Sequence, residues 1–333
     1  MPIYIPKKKG ASNKPHITPK NAQHTPANEI GNDSSLKPFI DWITINLTPP
    51  EKDQHDIHDA FWTAVGDPEV LADATSAELK GAVAGFNVAK RVVLASVDAK
   101  KKRPTLFVRH LKDQKRISKL RLEFVPVDLG TEGMSELHTA INMIVPDGWE
   151  YLVKHGRVTR LDVAVDLFGA TMNSIHLQPK KVGHMMRLFP TGELESIYIG
   201  KPKSAQTVIY DRSKKRANKG QSISQCVRIE RRLKPGSLKL SNLPDIPNPF
   251  AGSTLVVKLP GPPSPAKAWE WSMFSDCVER RGLPAALALL PKDRAKIYKA
   301  HIQSHQLPAW DPDAIWKGWR PMLQELKIAQ AHW

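Results

Sequence analysis

The sequence predicts an α+β fold, in which a core of antiparallel β-sheet has helices packed on one face and is followed by an α-helical C-terminal region. Short runs of alternating apolar and polar residues, rich in β-branched and aromatic side chains, recur between residues 39 and 234 and are typical of strands. Helical patterns broken by Gly282, Pro291 and Pro308 fill the chain after residue 265.

The composition points to a polyanionic partner. The chain of 333 residues has 49 Lys and Arg against 33 Asp and Glu, which gives a net charge of +16 and a pI near 9.7. Its only cysteines, Cys226 and Cys277, exclude a disulfide framework and a cysteine-based zinc site. The sequence has no apolar run long enough to span a membrane and no apolar segment after its first lysines, so we expect no membrane association and a cytoplasmic setting.

Composition changes divide the chain into four predicted segments. Residues 1–36 are rich in Lys, Pro, Asn and Ser and indicate a disordered basic arm. Residues 37–235 hold the strand-like runs, residues 236–265 form a proline-rich connection, and residues 266–333 form the helical region.

The patterns also predict individual elements. Strands are expected at residues 39–47, 89–97, 104–111, 119–127, 157–169, 193–200, 204–212, 226–234 and 253–259. Helices before residue 236 are expected at residues 51–66, 68–83, 135–143, 146–156 and 177–190.

The connection between the second and third predicted strands is strongly basic. It contains Lys101, Lys102 and Arg103, which could lie along a DNA backbone and neutralise phosphates. The alternative is a solvated loop whose charge prevents edge-to-edge aggregation of strands.

The strand at 157–169 places Arg160, Asp162 and Asp166 on one face and an apolar stripe on the other. Asp162 and Asp166 would lie about 13 Å apart along the strand, so they cannot chelate one ion without help from a neighbouring strand.

The residues between 157 and 234 could cut DNA through a tyrosine nucleophile. A phenol has a pKa of about 10 and needs help to ionise, a divalent ion stabilises charge at phosphorus, and arginines hold flanking phosphates. The stretch supplies Tyr198 and Tyr210, the carboxylates Asp162, Asp166 and Glu230, and the arginines Arg160, Arg212, Arg228 and Arg232. The alternatives are tyrosines that only pack and a cross-strand ladder of ion pairs.

Three phrases of this stretch resemble the replication initiation factor family, which includes rolling-circle initiators of plasmids and filamentous phages. They are RLDVAVD at 160–166, YIGKPKSAQTVIYDRSKKR at 198–216 and VRIERRL at 227–233, in that order. The resemblance extends upstream to IDWITINL at 40–47 and RLEFVP at 121–126, and covers roughly residues 38–235. The chain has no pair of histidines flanking one hydrophobic residue, so the metal motif of the larger HUH nickases is not reproduced.

The resemblance implies that residues 37–235 nick origin DNA, leaving a 5′-phosphotyrosyl link and a free 3′-OH primer. It implies Tyr210 as nucleophile, Tyr198 as a possible second nucleophile, and Mg²⁺ or Mn²⁺ held by Asp162, Asp166 and Glu230, with Glu123 a weaker candidate. The predicted DNA contacts are Arg160, Arg212, Lys214, Lys215, Arg228, Arg232, Lys101, Lys102 and Arg103.

The implied partners are single-stranded or cruciform origin DNA, host helicase and polymerase, and a second copy of the chain in a homodimer. The setting would be the cytoplasm of a bacterial or phage-infected cell. Two other functions stay open at this point: a non-catalytic DNA-binding protein of the same fold, such as a repressor or degenerate initiator, and an RNA-binding or RNA-processing protein.

Overall fold

A computed structural model describes residues 36–74, 85–180, 185–189, 192–201, 204–218 and 220–329. Its main feature is an 11-stranded antiparallel sheet with the order β2-β3-β4-β5-β1-β6-β11-β10-β9-β8, in which β12 also pairs with β6. The paired strands β7 and β13 form a second, small sheet. The strands are β1 (Phe39–Leu47), β2 (Leu71–Asp73), β3 (Val88–Val92), β4 (Thr105–Leu111), β5 (Arg116–Phe124), β6 (Arg157–Phe168), β7 (Ile175–Gln178), β8 (Met185–Leu188), β9 (Ser196–Ile199), β10 (Gln206–Asp211), β11 (Cys226–Leu233), β12 (Leu238–Lys239) and β13 (Thr254–Val257).

Helices lie between the strands and fill the C-terminal part of the chain. They are α1 (Gln54–Val65), α2 (Pro126–Asn142), α3 (Gly148–His155), α4 (Arg212–Ala217), α5 (Ala268–Arg281), α6 (Leu283–Ala288), α7 (Lys292–Ser304), α8 (Pro312–Lys317) and α9 (Trp319–Glu325). Short 3₁₀ turns cover Glu51–Asp53, Lys112–Gln114 and Leu240–Asp245. The architecture is the predicted α+β fold.

Side-chain alternation gives the large sheet two different faces. One face carries buried apolar residues such as Ile43 in β1, Leu161 in β6 and Ile229 in β11, which belong to the main hydrophobic core. Helix α1 packs against β5 and α2 packs against β1 on the core side. The opposite face carries Asp162, Asp166, Arg228, Glu230 and Arg232, so the core-forming alternation also places these polar side chains together.

Two predicted helices are wrong. The pattern at 177–190 predicted a helix, but Ile175–Gln178 pairs with β13 and Met185–Leu188 pairs with β9 as strands. Short apolar runs fit both the helical and the strand periodicity, and here pairing with neighbouring strands favours the strand conformation. The helix expected at 68–83 is replaced at Leu71–Asp73 by a strand that pairs with β3, and residues 75–84 lie outside the described part of the chain.

The predicted strands are confirmed, although several begin or end at different residues. The strand expected at 119–127 ends at Phe124, because Pro126 begins helix α2 and cannot donate to a sheet ladder. The strand-like run at 253–259 forms β13. The basic arm expected at 1–36 falls, except for its last residue, outside the described part of the chain, and the segment boundaries stay predictions.

Strand β13 connects the two hydrophobic cores. Leu255 packs in the main core, and its neighbour Val256 packs in a second core with Trp271, Phe274 and Tyr298 from α5 and α7. The chain then returns to the main core, where Trp310 and Trp319 are fully buried. Within the described part of the chain, none of the helices is long and apolar enough to cross a membrane.

The return to the main core predicts a large stability loss for Trp319→Ala. Trp319 is 1% exposed, stacks on Trp316, and its indole N–H donates to the Leu243 carbonyl at 3.1 Å. Removing this side chain leaves a cavity and should cost about 3–5 kcal/mol of unfolding free energy, measured by urea denaturation.

Trp269→Ala is the matched control, because Trp269 is 59% exposed and its loss should change stability by less than about 0.5 kcal/mol. Equal unfolding midpoints for both variants would show that the C-terminal chain does not stabilise the main core.

Candidate active site on the polar face of the sheet

The polar face of the sheet brings the predicted site residues onto adjacent strands. Across β10, β11 and β6, Tyr210 pairs with Arg228 and Arg228 pairs with Asp166. Because residues opposite one another in a sheet point to the same face, these three side chains lie side by side. Four residues away along both β11 and β6, Arg232 pairs with Asp162, and the same face continues.

Arg228 is the centre of an ion-pair network. Its Nε and Nη2 donate to the two oxygens of Asp166 at 2.6 and 2.8 Å, and its Nη1 pairs with Asp41 of β1. Its guanidinium also lies over the Phe39 ring, 4.6 Å from the ring centroid, and only 3% of its side chain is exposed. Arg228 therefore joins β1, β6 and β11 and has no guanidinium surface facing solvent for a phosphate.

Asp166 serves this network. Besides Arg228 it accepts a hydrogen bond from Arg212, the first residue of α4. Burial raises the pKa of Asp166, and the nearby Arg228 opposes the shift. Arginines therefore hold both oxygens of Asp166.

Asp41 is a site residue that the sequence analysis missed. Its carboxylate faces Arg228, and burial raises its pKa. A register shift between Ile40 and Trp42 in the pairing of β1 with β6 marks a bulge at this position. The available signal was an acidic residue inside an otherwise apolar strand, FIDWITINL.

Asp162 and Glu230 form a second acidic group. They are 1% and 2% exposed, and their carboxyl groups are hydrogen-bonded to each other. Burial raises the pKa of Asp162, although Arg160 holds its carboxylate through both oxygens. Arg232 donates to Glu230 at 2.6 Å.

The predicted metal ligands do not all come together. Among the described residues, no group of three or more His, Cys, Asp or Glu side chains could hold a metal ion. Asp162 and Glu230 lie together, whereas Asp166 is held by Arg228 and Arg212. Two adjacent carboxylates still fit Mg²⁺, which proteins commonly bind through one or two carboxylates with water and substrate phosphates completing its shell.

Both tyrosines lie on the polar face, in different surroundings. Tyr210 is 6% exposed, and Lys215 lies over its ring at 4.3 Å from the centroid. Burial raises the pKa of Tyr210 well above its ordinary value, and the charge of Asp41 raises it further, so the phenol is neutral at physiological pH. Tyr198 is half-buried on β9 and pairs with Val208, two residues from Tyr210 on β10.

Predicted DNA-binding cations surround this face, and most of them contact other groups of the chain. Lys102 and Arg160 lie over the Trp42 ring, at 3.7 and 5.0 Å from its centroid. Lys101 donates to the Asp128 carbonyl at 2.8 Å, and Arg103 donates to the Leu94 carbonyl. The cations and the aromatic Trp42 together resemble a platform for unstacked nucleotides.

Helix α4 carries the remaining cations because of its local sequence. Asp211 caps the helix by accepting from the Lys214 backbone N–H at 2.9 Å. Lys214 pairs with Glu193, Lys215 is exposed above Tyr210, and Arg212 turns inward to Asp166. The helix thus places one cation inside the network and two at its rim.

The buried acid pair predicts that Asp162→Asn changes how stability depends on pH. The folded-state pKa of Asp162 is raised, so the native state binds its proton more tightly than the unfolded chain does. The protonated Asp162 side chain stabilises the folded state at pH values below the unfolded pKa, about 3.9. This stabilisation is lost as pH rises through the folded-state pKa. An asparagine can donate to Glu230 without a charge, so the variant should gain stability relative to wild type as pH rises above about 4.

Urea unfolding midpoints in EDTA measure this difference. Asp245→Asn is the control, since Asp245 is exposed in a surface ion pair with Arg320 and its replacement should have little effect. If Asp162→Asn instead becomes less stable relative to wild type as pH rises, then the ion pair with Arg160 dominates over burial.

No protein-family model and no curated protein matches the chain. Among solved structures, the chain is similar to one described as the rolling circle replication initiator protein from Geobacillus stearothermophilus, at 13% identity, with a TM-score of 0.35 and coverage of 82% of this chain and 99% of that chain.

Proposed function

We propose that this chain initiates rolling-circle DNA replication by nicking origin DNA with Tyr210 as nucleophile. The observation that carries the proposal is the arrangement of one sheet face, on which Tyr210, the Asp162–Glu230 pair and a rim of cations occupy adjacent strands. The motif resemblance over residues 38–235 assigns the nucleophile to the same tyrosine.

The chemical step is a transesterification. The Tyr210 oxygen attacks the phosphorus of the scissile phosphodiester while the bond from phosphorus to the 3′ oxygen breaks. The phenolic proton leaves, the 3′ oxygen takes up a proton, and one phosphodiester is exchanged for another. The 5′ end stays on the protein, and the free 3′-OH primes synthesis by a host polymerase on a strand that a host helicase opens.

The acids on this face support metal assistance. Asp162 and Glu230 would hold Mg²⁺ or Mn²⁺, whose charge would stabilise the phosphate during the transfer. The carboxylates of Asp41, Glu230 and Asp166 all raise the pKa of Tyr210, so the phenol becomes easier to ionise when positive charge neutralises them. Arg228 and Asp166 would position strands β6 and β11 beneath the tyrosine.

The rim residues support binding of a single strand. Trp42 with Lys102 and Arg160 offers an aromatic surface beside two cations, and Lys214 and Lys215 extend the positive rim across α4. Stacking on aromatic rings and phosphate neutralisation by Lys and Arg are the main contributions to single-strand binding.

The burial of Tyr210 favours a second candidate, a DNA-binding protein of the same fold that does not cut. The Tyr210 side chain is only 6% exposed, and the pKa of its hydroxyl is raised. The neighbouring Arg228 already pairs with two acids, Asp41 and Asp166. Such a protein would bind the origin through the same rim and leave the DNA intact.

A nicking assay distinguishes the two candidates. Its substrate is supercoiled DNA that carries the replication origin of the genetic element encoding this chain. With Mg²⁺ or Mn²⁺, the wild-type chain should produce nicked circles and a covalent protein–DNA adduct, and EDTA should abolish both. Tyr210→Phe should lower nicking at least about a thousandfold, because the variant lacks the covalent nucleophile.

Tyr198→Phe is the matched control, since Tyr198 lies on the same face and its replacement should leave the first nick intact. If Tyr210→Phe retains full nicking, Tyr210 is not the nucleophile. If the wild-type chain binds the origin without nicking it, the non-cleaving candidate is correct.

A further inference from the structure

A large cavity lies on the other side of the sheet from Tyr210. Its volume is about 1010 Å³, and it lies between β11, the turn of β12 and the segment 246–253 before β13. Thr207, Ile229 and Arg231 form its floor on β10 and β11, where they alternate with the residues of the polar face. Cavities of this size hold small organic ligands.

Arg231 places a partly buried positive charge in the floor of the cavity. Its side chain is half-buried, Nη1 donates to the Thr207 hydroxyl at 2.6 Å, and the buried Nε has no hydrogen-bond partner among the described residues. Burial lowers the pKa of Arg231, and no described carboxylate opposes that effect. A partly buried cation with no carboxylate beside it is unfavourable, so the unpaired Nε of Arg231 indicates a missing anionic partner.

The rest of the lining favours the same kind of ligand. Arg157, Lys180 and Lys239 are exposed at the mouth, and the lining residues that are described include no Asp or Glu. The stem of Lys180 packs over Gly252, where an added Cβ would come within 3.0 Å of it. The inner wall is apolar, with Phe250 and Trp310 among its residues.

We propose that this cavity binds a phosphorylated ligand of nucleotide size, either free or as part of a DNA strand. The guanidinium fork of Arg231 would hold the phosphate, for which its planar, two-pronged geometry is suited. The apolar wall would cover the base or sugar. The site is separate from the proposed nicking centre, because the two lie on opposite faces of β10 and β11.

Calorimetric titration of the full-length Tyr210→Phe chain with dAMP tests the proposal without any contribution from DNA cleavage. At about 0.15 M salt, where weak surface attraction is screened, dAMP should bind saturably. Adding Arg231→Met should weaken binding at least about tenfold, through loss of charge-assisted hydrogen bonds. Deoxyadenosine, which lacks the phosphate, should bind at least about tenfold more weakly than dAMP.

Matched variants distinguish binding in the cavity from general electrostatic attraction to the basic chain. Arg109→Met removes an exposed arginine of β4, four strands away from β11 in the large sheet, and should leave dAMP affinity unchanged. Lys180→Met removes an exposed charge at the rim and should weaken binding several-fold. Stronger Arg231-dependent binding of a short oligo(dA) than of dAMP would identify a DNA strand as the source of the nucleotide.

The proposal is overturned if dAMP and oligo(dA) show no saturable binding, or if Arg231→Met and Arg109→Met weaken binding equally. It is also overturned if deoxyadenosine binds as tightly as dAMP.

Discussion

The ion pairs of Arg228 with Asp166 and Asp41 determine how the polar face of the sheet is built. They join the three strands β1, β6 and β11 through an arginine side chain that is almost fully removed from water. Breaking such a buried pair typically costs about 3–5 kcal/mol, because the remaining charge loses its partner. An arginine suits this position because its planar fork bonds Asp166 through two nitrogens and leaves a third for Asp41.

This network also divides the acids of the site by role. Asp166 and Asp41 are held by arginines, whereas Asp162 and Glu230 share a hydrogen bond and have their arginines, Arg160 and Arg232, at the more exposed edge. Burial favours a protonated Asp162 and a neutral Tyr210. Positive charge brought to this face would favour the ionised forms of both groups.

Much of this arrangement was predictable from alternation along the strands. The pattern of RLDVAVDLF and CVRIERRL placed Asp162, Asp166, Arg228 and Glu230 on faces that the structure brings together. Strand register was not predictable, and register decides that Asp166 lies opposite Arg228 whereas Asp162 lies opposite Arg232. Asp41 was missed because its orientation depends on a bulge, and the strand at 175–178 was missed because its partner β13 lies far away in sequence. The strand at 185–188 was missed because its short apolar run also fits a helix, although its partner β9 is close in sequence.

The claim that this face cuts DNA is tested most directly by the site of covalent attachment. After reaction with origin DNA and a divalent ion, nuclease and protease digestion followed by mass spectrometry identifies the peptide that retains a nucleotide. The account predicts a phosphotyrosyl link on Tyr210. A link on Tyr198 or on another residue, or an origin complex without any covalent link, would contradict it.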